Sequence, residues 1–166
     1  MMTMLDVRGN VMPVTLEPMT KAQFSEFMEV ILPPYVAERA AADHVSTDVA
    51  EHYARDQHAR LLADGHLTAG HRFLRMISTN NDQPVGGVWL WIDVGNKQAF
   101  LYNITVFPQY RRRGFASAAL VLVEQTVRAA GCATLGLNVF SSNSGALALY
   151  RKVGFNAVSS YFNKAL

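Results

Sequence analysis

The chain has 166 residues, of which 50% are hydrophobic and 17% charged, and its net charge is +2. This length allows one domain with a core of its own, and the composition excludes a disordered or fibrous chain. A charge so near balance leaves no footprint for nucleic acid, and a single cysteine, Cys132, excludes an internal disulfide framework and suits a reducing compartment.

The first residues, MMTMLDVRGN, carry no apolar run, so no secretory signal is expected. No apolar stretch approaches the roughly 18 residues of a membrane span. The expectation is a cytoplasmic protein with no membrane contact, with residues 1–12 as a loose leader and residues 13–166 as a single domain. Val14 to Glu17 reads as a short strand. After Thr20, the residues Phe24, Phe27, Met28, Ile31 and Leu32 recur at helical spacing, and the pattern runs to about Ala42. Pro33 and Pro34 are expected to break or kink it. Ser46, Thr47 and Asp48 form an N-cap cluster for a second, polar helix that ends at Asp64-Gly65.

From His71 the period changes. Residues 71–77, 85–94 and 99–107 read as three strands joined by turns at residues 80–84 and at Gly95-Asn96, an antiparallel meander. A helix follows from Ala116, with Ala119, Leu120, Val123 and Val127 on one face, and Gly131 stops it. Residues 132–140 alternate as a strand. Strand, helix and strand at this spacing make a βαβ unit with parallel strands. Ser141, Ser142 and Asn143 cap a last helix over residues 144–153, and residues 155–166 are expected to add one or two strand pieces. The predicted class is α/β with a mixed sheet, or α+β by some schemes.

One stretch, LYNITVFPQYRRRGFA at residues 101–116, carries the most chemistry. A strand here feeds a helix through Arg111, Arg112, Arg113 and Gly114. The first turn of a helix presents unpaired N–H groups and a positive dipole end, which together suit a phosphate. Glycine permits close approach of backbone to a ligand, and guanidinium groups add charge-assisted bonds. The plainer reading is a solvated loop that is merely basic. No GxxxxGK[ST], GxGxxG or GxSxG motif is present. Asn143 and Tyr150 lie seven residues apart and so share one helix face. Taken singly, each has a plain reading, as an N-cap and as a core aromatic.

Taken together, these pieces make residues 99–155 resemble the coenzyme-A-binding half of the GNAT superfamily of N-acetyltransferases. Asn103-Ile104-Thr105-Val106 before Pro108 is similar to the strand that pairs with the pantetheine arm. Arg111-Arg112-Arg113-Gly114-Phe115-Ala116 is similar to the [QR]-x-x-G-x-[GA] pyrophosphate loop. Asn143-x-x-Ala146-x-x-Leu149-Tyr150-x-x-x-Gly154-Phe155 is similar to the closing helix. The resemblance implies a GNAT-like sheet and direct transfer of an acetyl group from acetyl-CoA to a primary amine, with no metal. It assigns the pyrophosphate to Arg111, Arg112, Arg113, Gly114, Phe115, Ala116 and Ser117, and the pantetheine and carbonyl to Ile104, Thr105 and Val106. Asn143 would contact the coenzyme, and Tyr150 would be the general acid. Dimers are frequent in the family, so a homodimer is an expectation by analogy.

In the similar ribosomal-protein alanine acetyltransferases a Glu general base stands where this sequence has Asn138, and histone-type members carry a Glu where it has Phe100. Neither residue can take a proton, so no general base carries over. The acceptor stays open between a small amine, metabolite or antibiotic, and a protein amine. A non-catalytic acyl-CoA sensor is the alternative from another class. The five histidines, at positions 44, 52, 58, 66 and 71, form no metal-ligand pattern, although His66 and His71 could line an acceptor site. Trp89 and Trp91 share a sheet face and suit core packing. Glu29 and Tyr35 fall in the region that shapes acceptor pockets in relatives.

Overall fold

The computed structural model describes residues 12–166. The expected leader thus lies outside the described residues except for Met12, which is 3% exposed and whose carbonyl accepts a bond from Thr79 Oγ1 at 3.0 Å. The chain divides into two compact units. Among the described residues, one is built from residues 12–24 and Ala69–Asn138, the other from Ser25–Thr68 and Val139–Leu166.

The first unit holds a five-stranded sheet in the order β1-β2-β3-β4-β5, formed by Val14–Pro18, His71–Ser78, Pro84–Asp93, Gln98–Val106 and Thr134–Leu137. The first four strands pair antiparallel, as the turn-rich sequence predicts, and β4 pairs parallel with β5. Helix α3, Phe115–Ala129, crosses between β4 and β5 and packs against β1 and β4. Its apolar stripe (Ala119, Leu120, Val123 and Val127) is buried. The register puts Val14, Met76, Val88 and Leu90 on one sheet face, and all four are fully buried. Gly131, at φ +82°, closes α3: its N–H bonds to Arg128 O and the Cys132 N–H reaches Val127 O.

The second unit contains nearly all of α1 (Lys21–Asp43), α2 (Thr47–Leu61) and α4 (Ser144–Lys152). Leu32, Val36 and Ala40 of α1 meet Ala50 and Ala54 of α2 in a small core, with Tyr35 packed on it. Ser46 caps α2 as predicted, its Oγ accepting from Val49 N–H at 3.3 Å.

Three expectations are corrected. Pro33 and Pro34 lie inside an unbroken α1. They withhold donors only from the carbonyls of Glu29 and Val30, both exposed residues that solvent can reach, and the buried stripe runs past them on both sides. The strand expected over residues 132–140 shrinks to Thr134–Leu137, because β4 offers it pairing only along Gln98 to Leu101. Residues 155–166 form no strand. They run exposed after Phe155, with Val158, Tyr161 and Phe162 each at least 87% accessible. Their alternation gives no strand because no neighbouring strand satisfies their backbone.

Candidate functional site

In the first unit, the arrangement begins with a misfit between β3 and β4. Trp89 pairs with Asn103 but Leu90 with Leu101, so Tyr102 is an extra residue, a β-bulge. Beyond the bulge, Phe107 N–H bonds to Val85 O at 2.9 Å. With Gly87 opposite Thr105 and Val88 opposite Ile104, the alternation of an antiparallel ladder turns the backbone of Asn103 and Thr105 toward β3 and that of Ile104 and Val106 away from it. On that outer side β5 pairs no further than Leu101. Ile104 and the N–H of Val106 therefore present an open backbone edge. Thr105 does not, and its Oγ1 donates to Asn103 Oδ1 at 2.7 Å.

The chain then turns through Pro108–Tyr110 into the arginine loop. Arg111 Nε donates to Val106 O at 3.1 Å, which fastens the loop to the strand that feeds it. The Arg113 guanidinium lies 5.9 Å from the Tyr110 ring centroid, a cation–π contact. Arg112 adopts φ +63°, a left-handed conformation that a non-glycine residue rarely holds. Gly114 is the N-cap of α3 at φ +81°, and no heavy atom lies within 4 Å of where its Cβ would stand. The first backbone bond of the helix is Ala118 N–H to Gly114 O, so the amides of Phe115, Ala116 and Ser117 have no intrahelical acceptor. The Phe115 side chain is buried, leaving only its amide for a ligand, while the three arginines are exposed. Unpaired amides, a helix dipole, guanidinium groups and open space above a glycine make a cradle for an anion.

In the second unit, α4 carries the other two predicted residues. Asn143 Oδ1 accepts from Ala146 N–H at 3.1 Å as the N-cap, and its Nδ2 donates to Glu38 Oε1 on α1 at 3.2 Å. The plain reading of Asn143 as a cap thus holds, with a link to α1 added. The helix ends in a Schellman motif, with Gly154 N–H on Arg151 O and Phe155 N–H on Tyr150 O, and Gly154 at φ +100°. The Phe155 ring packs edge-on against Tyr150 at 5.7 Å. The Gly-Phe pair therefore fixes the tyrosine in place. Burial first, and the Glu38 charge second, push the Tyr150 phenol above its usual range, so it stays protonated at neutral pH. Tyr35 lies 6.0 Å from Phe140 and stacks on His58 at 6.1 Å, with its hydroxyl donating to Gln57 Oε1.

The other residues singled out in the sequence have structural partners. Glu29 pairs with Arg55, which also binds Glu51. Trp89 is buried and stacks on Tyr102 at 4.6 Å. Its indole N–H donates to His71 Nδ1 at 2.9 Å, so the proton of the neutral His71 ring sits on Nε2. Burial holds His71 below the usual histidine range and keeps it neutral. With its lone pair committed to Trp89, His71 is placed as a donor rather than a base. Cys132 is buried, its Sγ 3.4 Å from Gln98 O, which is a packing role. Glu38 and Tyr102 are the residues that sequence reading missed. Glu38 stands three positions after Tyr35 on one helix face, a signal too short to stand out alone. Among the described residues no cluster of His, Cys, Asp and Glu could hold a metal ion, and no helix is long and apolar enough to cross a membrane.

A family model described as the acetyltransferase (GNAT) family matches residues 33–155. Over 159 residues the chain is 29% identical to YycN of Bacillus subtilis (strain 168), an uncharacterized N-acetyltransferase, covering 93% of this chain and 100% of that one. It is 37% identical over 87 residues to the ribosomal protein bS18 alanine N-acetyltransferase of Escherichia coli (strain K12), 52% of this chain and 57% of that enzyme. The crystal structure of the B. subtilis YycN protein superposes with a TM-score of 0.85 at 26% identity, covering 92% of this chain and 98% of that one.

Proposed function

Because this chain belongs to the GNAT acetyltransferase family, we propose that it moves an acetyl group from acetyl-CoA to a primary amine by direct attack. The observation that carries this reading is the open backbone edge at Ile104 and Val106, leading through a fastened loop to the unpaired amides of α3. That edge can pair with an amide-bearing arm as a further strand would, and the loop suits a pyrophosphate. The amides of Phe115, Ala116 and Ser117 and the charges of Arg111, Arg112 and Arg113 hold the diphosphate, with Gly114 permitting the approach. The outward N–H of Val106 takes the carbonyl oxygen as charge develops on it. Acetyl-CoA supplies an acyl group activated as a thioester. Tyr150 gives its phenolic proton to the departing sulfur, since a phenol held protonated at neutral pH is available as an acid when the thiolate forms. Asn143 keeps the start of α4, and thereby Tyr150, tied to α1, and its second Nδ2 hydrogen serves the coenzyme.

The acceptor class follows from a panel: an alanyl peptide, a lysine-bearing peptide, spermidine and kanamycin, each with acetyl-CoA, read by free-thiol release. The alanyl peptide tests the acceptor of the relative that acts on ribosomal protein bS18. Amine-dependent thiol release is expected from one class. Binding of acetyl-CoA without release for any amine overturns acetyl transfer and leaves an acyl-CoA sensor.

A further inference from the structure

The proposed reaction leaves one step without a residue. A primary alkylamine is an ammonium ion near pH 7 and must lose a proton before it attacks. Asn138 and Phe100 offer no base, and His71 has its lone pair on Trp89.

The second unit holds a carboxylate without an assigned task. Glu38 is half-buried on α1, on the helix face that also carries Tyr35. Its described partner is Asn143 Nδ2, a neutral donor at 3.2 Å. None of the salt bridges among the described residues includes Glu38. Arg39 of the same helix is paired with Asp43, and Arg55 of α2 with Glu29 and Glu51. From α4, Asn143 and Tyr150 face Glu38, two residues on one side of that helix. From α2, His58 stacks on Tyr35, and burial and the Arg55 charge hold it neutral. A half-buried carboxylate with an amide on one oxygen and no salt bridge among the described residues is free to take a charge-assisted bond from a cation arriving from solution.

We propose that Glu38 receives the acceptor amine, binding its ammonium form and taking its proton before attack. This rests on the acetyl-transfer reading. An N–H bond of the ammonium breaks and an O–H bond forms at Glu38. The freed lone pair makes the C–N bond as the C–S bond breaks, and the sulfur takes the Tyr150 proton. The proton that the nitrogen loses as the amide forms restores Tyr150, and Glu38 releases its own to water, so one proton leaves per ammonium consumed. The acceptor class is an alkylamine that is cationic at neutral pH. An arylamine, already neutral there, has no need of Glu38.

The test is Glu38→Gln, which keeps an oxygen for Asn143 Nδ2 and removes only charge and basicity. With the panel amine that the unaltered protein turns over, kcat/KM is expected to fall by about 100-fold near neutral pH. The deficit is expected to shrink as pH rises toward the amine's own pKa, with melting temperature and acetyl-CoA affinity unchanged. Glu38→Asp, which keeps the carboxylate, recovers part of the rate. Independently of activity, ultraviolet titration of the phenols, with Tyr150→Phe assigning the Tyr150 transition, shows that transition at lower pH in Glu38→Gln. An unchanged rate, a loss equal at every pH, no recovery in Glu38→Asp, or an unmoved Tyr150 transition each overturns the proposal. Absence of amine turnover by the unaltered protein fails the acetyl-transfer reading instead, and the phenol titration still decides whether the Glu38 charge acts on Tyr150.

Discussion

Replacing Gly114 separates the anion cradle from the fold. Its φ of +81° and ψ of 0° place it in the left-handed region, where an L side chain costs about 1–2 kcal/mol. A Cβ there meets no protein atom within 4 Å, so Gly114→Ala adds no clash inside the protein. Loss of chain entropy in the unfolded state returns about 0.4–1 kcal/mol. The net destabilisation is at most about 1.6 kcal/mol, a fall in melting temperature of no more than about 6.4 °C at ~2–4 °C per kcal/mol for a chain of this size. In the proposed cradle, the space that the Cβ fills is where an anion would reach the amides of Phe115, Ala116 and Ser117. Hydrogen bonds to a charged group contribute about 1.5–3 kcal/mol each, so displacing two costs about 3–6 kcal/mol, at least 100-fold in Kd. Binding therefore suffers more than folding, and Gly114→Val, which is β-branched, suffers further. Calorimetric titration with acetyl-CoA, paired with thermal unfolding with and without it, measures both. The ligand is expected to raise the melting temperature of the unaltered protein and not that of the variant. Unchanged affinity alongside a lowered melting temperature refutes the cradle.

Tyr150→Phe is expected to lower kcat by about 100-fold or more with little change in acetyl-CoA affinity, and an unchanged kcat removes Tyr150 as the acid. Since burial and Glu38 push its phenol up from about 10, no alkaline loss of rate from this group is expected below that pH. His58 and His71 have folded-state pKa values lowered by burial, so between those values and the unfolded value of about 6.5 the unfolded chain binds more protons. Their contribution to stability is full above pH ~6.5 and is lost as pH falls through the folded values. Denaturant unfolding across pH 5 to 7 checks this, and a flat profile that does not change in His58→Gln and His71→Gln refutes it. Gly86→Ala puts a Cβ 2.0 Å from Thr105 O, and the forced shift of β3 from β4 is expected to cost about 3 kcal/mol or more, read as a lowered denaturation midpoint.

The order and type of elements were legible because period and punctuation are local properties. Alternation marked β2 to β4, and dense turn chemistry separated them. The last helix was marked by Asn143 at its start and Gly154 at its end, and both hold those places. The errors fall where a distant neighbour decides. Alternation over residues 132–140 and 155–166 cannot report whether a partner strand is present, and β5 is short because β4 pairs with it only as far as Leu101. The prolines of α1 obey a local rule that burial on both sides overrides.

For the site, the chemical inventory is readable along the chain: a basic, glycine-bearing loop before a helix, an asparagine cap and a tyrosine two turns further on. These are residue types at fixed spacings along one chain. Which of their atoms are available depends on packing between segments distant in the chain. The bulge at Tyr102 turns the backbone of Ile104 and Val106 outward and that of Thr105 inward, a distinction of register that no composition encodes. The Asn143 amide joins Glu38, a residue 105 positions away in the chain, and brings a carboxylate to the tyrosine. Hydrogen bonds across such separations form only when folding closes the loop between them, so a reading made along the chain has no access to them.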